Sequence, residues 1–221
     1  MSDLQERIHA LRARIARACE AAGRDPAGVE LLPVSKRQPL ARIAEAAALG
    51  FTTFGENYVQ EGAAKAEARP DLRFVLLGPL QRNKAKAALQ HFAEILTVDR
   101  PDLAARLGRI AEELGAVRPV WIQADLWDED TKQGGCPGAG LPALVAALGD
   151  CPRLPLQGFM AIPPPGLGRA FPEMAALRGA WEQKLGRRLR LSMGMGGDLE
   201  AAIAAGSDQV RIGTDLFGAR T

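Results

Sequence analysis

Leu31-Leu32-Pro33-Val34-Ser35-Lys36 is the stretch whose reading decides the fold. A short apolar run with a β-branched Val leads into a Ser and a lone Lys, and Pro39 restricts the backbone that follows. The pattern predicts a buried strand with Lys36 at its carboxyl end. In parallel α/β folds that end of a strand opens onto the ligand crevice. Partial desolvation there disfavours an ammonium and frees the amine to attack an aldehyde. A Lys capping a strand in plain solvent has the same local sequence, so the assignment depends on what the other strand ends contribute.

Toward the N-terminus, Leu4, Ile8, Leu11, Ile15 and Cys19 recur at helical spacing and predict an amphipathic helix ending near Gly23. Arg7, Arg12, Arg14 and Arg17 occupy its remaining arc and read as a solvated face. Toward the C-terminus the chain alternates. Strands are predicted over 51–58 (breaking at Gly55), 74–78, 95–99, 120–124, 156–160, 190–192 and 209–212. Helices are predicted over 39–49, 59–68, 101–114, 141–148, 171–185 and 199–205, with one more opening at 81–84 and a polar loop over 128–140. Eight strand–helix repeats with short connections predict an α/β fold: one (β/α)8 TIM barrel spanning residues 1–221, with an extra N-terminal helix. An open, doubly wound sheet fits the same alternation, although no Gly-x-Gly-x-x-Gly follows the first strand to support a dinucleotide site.

The chain of 221 residues carries 28 basic and 26 acidic side chains, a net charge of +2 that points to neither a nucleic-acid nor a membrane surface. Aromatic residues make up 5%, too few for a base-stacking platform. No stretch approaches the roughly 18 apolar residues of a membrane span, and the first residues lack the apolar core of a signal peptide. Cys19, Cys136 and Cys151 are odd in number and not at metal-ligand spacing, so free thiols, no metal site and a cytoplasmic location are expected. With no apolar surface stripe in view, a monomer is expected.

The densest polar and glycine-rich signals follow the seventh and eighth strands. Ser192-Met193-Gly194-Met195-Gly196-Gly197-Asp198 leaves one, and Arg211-Ile212-Gly213-Thr214 leaves the other. Barrels commonly hold a phosphate there, on backbone N–H groups that glycine lets approach closely, with Ser192 and Thr214 as hydroxyl donors. Tight turns alone also explain either loop, but not the coincidence of both. A reactive Lys36 and a phosphate cradle together specify a phosphorylated aldehyde, and pyridoxal 5′-phosphate fits. Arg211 then stands where the pyridine nitrogen would lie, unless it serves a rim ion pair with Asp215.

The chain resembles the pyridoxal-phosphate homeostasis protein family, related to the barrel domain of alanine racemase. The matching segments run in order through the chain: Val34-Ser35-Lys36, Phe54 to Glu61, Gly78 to Lys84, Thr97 to Arg100, Asp128 to Lys132, Gly158 to Pro163, Leu191 to Asp198 and Val210 to Arg220. The resemblance implies that Lys36 is the Schiff-base lysine and that Asn57 lies beside the cofactor. It implies that Ser192, Gly213 and Thr214 bind phosphate, with Gly194 in the same loop, and that Arg211 meets the ring nitrogen. Met160 would pack near the ring, unless it is a plain core residue. Lys132 is the candidate for a second amine near the mouth. Two departures stand out: Phe74-Val75 replaces the family's usual Trp-His, and Gly196 replaces a usual Ser and its hydroxyl.

Three functions follow. The first is a non-catalytic binder of pyridoxal phosphate that serves vitamin B6 homeostasis and hands the cofactor to apo-enzymes. The second is a racemase or decarboxylase of the alanine racemase barrel type. The racemases resembled use a Tyr from a separate C-terminal domain as second base, whereas the sole Tyr here is Tyr58. The third is an aldolase-like Schiff-base enzyme, for which Glu56 is the nearest acid or base. A charged Arg211 disfavours a pyridinium, which favours the first function over the second.

Overall fold

The computed structural model describes residues 2–127 and 134–218. Among the described residues, eight parallel strands each followed by a helix, besides one two-residue strand, place the chain in the (β/α)8 barrel class with an extra N-terminal helix. Met1–Gly55 with Gly168–Thr221 form one compact unit, and Glu56–Leu167 a second.

In the first unit, α1 (Asp3–Ala21) starts at Ser2, whose side chain accepts from Gln5 N–H, and buries Leu4, Ile8, Leu11, Ile15 and Cys19. Strand β1 (Glu30–Pro33) runs beside β8 (Gln209–Ile212), with Glu30 opposite Gln209 and Leu32 opposite Arg211. Strand β7 (Arg190–Ser192) joins β8 through Ser192 opposite Gln209. Val34 makes a single bridge to Gly55 of β2 (Thr53–Glu56). Helices α2 (Leu40–Ala48) and α7 (Ala170–Leu185) complete the longer elements.

Two helices of this unit are too short to stand alone: α8 (Leu199–Ala204) and α9 (Thr214–Phe217). Arginines hold their ends. Arg24 donates to Ile203 O (2.6 Å) at the end of α8, and Arg42 to Phe217 O (3.0 Å) at the end of α9. Cations there meet carbonyls that have no intrahelical donor. Arg14 of α1 grips the first turn of α8 through a two-pronged pair with Glu200 (2.5 and 2.7 Å).

The second unit contains α3 (Val59–Ala68), β3 (Arg73–Leu76), α4 (Ala85–His91), β4 (Glu94–Val98), α5 (Pro101–Leu114), β5 (Val120–Asp125), α6 (Leu141–Gly149) and β6 (Leu156–Met160). Its strands lie in the order β3-β4-β5-β6, with Trp121 opposite Gly158 and Gln123 opposite Met160. Nearly every residue of β4, β5 and β6 is buried, as expected of strands covered on both faces. Trp121 satisfies its indole N–H on Glu94 (2.9 Å).

Several expected boundaries move. The first strand stops at Pro33, and Lys36 comes afterwards in a turn. The second strand runs through Gly55 instead of breaking there. Inside the expected polar loop, Cys136–Pro137 forms a short strand parallel to β5, followed by a 3-10 turn over Gly138–Gly140. Helix α9 was not expected at all. Lys132 and the Asp128–Lys132 segment lie outside the described residues. Among the described residues no helix is long and apolar enough to cross a membrane, and all three cysteines are free.

Candidate functional site

Six of the eight expected cofactor residues fall in the first unit. Lys36 is half-buried in a turn closed by Gln38 N–H donating to Ser35 O (2.9 Å). Arg37, next in the turn, has φ +60°, a left-handed backbone that is uncommon for a residue with a side chain. The turn is anchored from both sides: Val34 N–H donates to Ile212 O and Ser35 N–H to Gly55 O, each at 2.8 Å. These bonds set the Lys36 turn beside the end of β8, where a Cβ added to Gly213 would lie 3.5 Å from Val34 O.

Arg211 is 5% exposed on β8, and its Nη1 donates to Ser192 Oγ (2.8 Å). Ser192, fully buried, donates in turn to Gln209 Oε1 (2.7 Å). Gln209 Nε2 donates to Glu30 Oε2 (3.1 Å), which also accepts from Arg190 Nη2 (2.9 Å). The strand registry produces this chain, because Gln209 is opposite both Glu30 and Ser192, and Arg211 shares its face two residues on. Burial pulls the Arg211 guanidinium down to about 10, with Asp198 opposing the shift, so it stays charged at neutral pH. The sequence had singled out Ser192 and Arg211 but not Gln209, the residue that links them.

Ser192 therefore lies level with the first residue of β8. The loops that leave β7 and β8 extend beyond it. Arg211 N–H donates to Gly194 O (3.0 Å), which keeps the two chains paired past the end of β7. Gly194 has φ +96°, and a Cβ there would fall 2.6 Å from Ala202 Cβ, so only glycine lets this loop pack on α8. Asp198 Oδ1 accepts from Met195 N–H (2.5 Å) and holds the turn between them. Gly213 N-caps α9, and the N–H groups of Thr214 and Asp215 lie ahead of that helix's own hydrogen bonds. Exposed Thr214 adds a hydroxyl. This collection of backbone N–H groups, one hydroxyl and a nearby buried guanidinium fits the phosphate and ring of pyridoxal phosphate.

The second unit contains the remaining two. Asn57 is half-buried after β2, on a backbone tied by Leu77 N–H to Glu56 O (2.8 Å). A Cβ on Gly78 would lie 1.9 Å from Asn57 O, which explains why the third strand meets a glycine there. Met160 is fully buried at the end of β6. Glu56, weighed as an acid or base, is fully buried and accepts from Lys65 Nζ (2.7 Å); Lys65 also reaches Glu61 (2.7 Å). Tyr58 is 46% exposed at the start of α3.

Residues 7–221 match the model of the alanine racemase N-terminal domain. A Pyridoxal phosphate homeostasis protein of Pseudomonas aeruginosa is 45% identical over 100% of this chain and 97% of its own. One of Escherichia coli K12 is 41% identical over 100% of this chain and 98% of its own. PipY of Synechococcus elongatus PCC7942, solved with PLP bound, is 38% identical, with a TM-score of 0.86 over 98% of this chain and 100% of that one. The chain thus belongs to the alanine racemase N-terminal domain family and, within it, to the pyridoxal-phosphate homeostasis proteins.

Proposed function

We propose that this chain binds pyridoxal 5′-phosphate through Lys36 and works, as a single barrel domain, as a non-catalytic carrier in vitamin B6 homeostasis. When bound, the cofactor supplies an aldehyde with which an amine forms a Schiff base. Lys36 provides that amine from a turn anchored to the end of β8. The loop N–H groups of Gly194, Gly196 and Gly197 and of 213–215, with the Thr214 hydroxyl, hold the phosphate, and Ser192 steadies the Arg211 guanidinium toward the ring nitrogen. Asn57 and Met160 complete the cofactor set. The observation that carries the reading is the buried Arg211–Ser192–Gln209 chain beside the Lys36 turn.

Two features favour a carrier over a racemase or decarboxylase. Arg211 remains charged and disfavours protonation of the ring nitrogen, which weakens the ring as an electron sink. Glu56, the carboxylate nearest in sequence to Asn57, is engaged by Lys65 and has no exposed surface from which to shuttle a proton. The same pairing argues against an aldolase. The carrier would be a cytoplasmic monomer that serves apo-enzymes needing pyridoxal phosphate, with no role for nucleic acid or membrane.

The test is an absorption spectrum of the protein mixed with pyridoxal phosphate, followed by assays against the standard amino acids. A visible imine band with no racemisation or decarboxylation above background is expected. Robust turnover that disappears in Lys36→Ala would promote the enzyme reading.

A further inference from the structure

The departure at Gly196 has a counterpart across the site. A Cβ built on Gly196 would lie 2.2 Å from Asp215 Oδ2 and 3.1 Å from its Oδ1. The Asp215 carboxylate thus occupies the space that a side chain at 196 would need. Asp215 is the second residue of α9, and Gly196 lies midway along the loop after β7. The carboxylate spans from one loop of the proposed phosphate cradle to the other. Arg14 of α1 reaches toward it, with Nη1 3.8 Å from Asp215 Oδ2, while its other nitrogens hold Glu200 in the first turn of α8. One arginine therefore ties together the two helices that open from the cradle.

We propose that Asp215 and Arg14 set the affinity of this cradle for a phosphate monoester: Asp215 repels the anion, and Arg14 offsets that repulsion while keeping both loops in place. This rests on the phosphate-binding reading above. A carboxylate against Gly196 shares its surroundings with any phosphate seated on the N–H groups of both loops, and like charges at that range oppose binding. Arg14 touches neither loop's donors, so it acts as a positioning residue through Asp215 and Glu200. A carrier that must release its cofactor gains from such a brake.

The experiment compares dissociation constants for pyridoxal phosphate and for phosphate-free pyridoxal in the full chain. Asp215→Asn keeps the shape of the side chain and removes its charge. It should tighten pyridoxal phosphate by about three- to tenfold, the range for one screened charge near another, and leave pyridoxal unchanged. Arg14→Gln should weaken pyridoxal phosphate alone, and this loss should shrink in the Asp215→Asn background. Melting curves of each variant separate these effects from partial unfolding. An unchanged pyridoxal phosphate constant in Asp215→Asn, or equal shifts for both ligands, would overturn the proposal. If the unaltered chain formed no imine at all, the functional reading would fail first; an imine with an indifferent Asp215→Asn would sink only this inference.

Discussion

Two lysines, one in each unit, show how the fold treats the same side chain in opposite ways. Lys65 on α3 is 6% exposed, and its amine donates to Glu56 and Glu61 at 2.7 Å each. Lys36 is half-buried in a turn beyond β1, and among the described residues its amine forms no ion pair. An amine bonded to two carboxylates serves as a strut between them. An amine presented on an anchored turn beside the proposed phosphate cradle is the one we propose for the imine. Burial alone would select Lys65 over Lys36. The partners decide, and they also explain why Glu56 belongs to the scaffold.

The widest separation between the two comes from removing each amine. Lys36→Ala should abolish the imine band entirely and leave the melting temperature close to that of the unaltered protein, because a half-buried turn residue creates no cavity. A full-strength band in that variant would end the comparison. Lys65→Ala should do the reverse. It leaves the fully buried Glu56 carboxylate without its cation, at a cost of about 3–5 kcal/mol. For a chain of this length that is a drop of roughly 6–20 °C in melting temperature. Whatever remains folded should still form the imine on Lys36.

The sequence singles out Lys36 but not Lys65. Lys36 was legible because apolar β1 and Pro39 bracket it. Glu56 and Lys65 are nine residues apart on different elements, and only packing brings their charges together. Other elements were similarly accessible: α3 and α5 fall where the sequence predicts helices, α5 between Pro101 and Gly115, and β6 to β8 fall on the short strand runs predicted for them. Cys136–Pro137 and α9 were missed because two and four residues carry no period. Arg14 read as one more solvated arginine because its partners, Glu200 and Asp215, lie far along the chain.

Smaller effects sharpen the account of the cradle's interior. Ser192→Ala removes the hydroxyl between Arg211 and Gln209. The loss leaves two buried polar groups to re-pair, and should weaken pyridoxal phosphate binding by about 1–3 kcal/mol, measured by titration. Phosphate-free pyridoxal should lose affinity in the same variant, because Ser192 acts through Arg211 at the ring. Equal binding before and after would show that the guanidinium needs no such support. The mildest effect concerns Cys136, whose burial pushes its thiol up to about 11, with Asp99 adding to the shift. A raised acid favours its neutral form in the folded state, so its stabilisation is complete below about pH 9 and is lost as pH climbs toward 11. Urea melts across that window should show the fold weakening; a Cys136→Ser variant should flatten the trend.

The most direct measurement is borohydride reduction of the protein loaded with pyridoxal phosphate, followed by peptide mapping of the trapped cofactor. The account predicts one labelled peptide, with the label on Lys36 and none on Lys65. A label on Lys65, or one spread over other lysines with Lys36 unmodified, would contradict it.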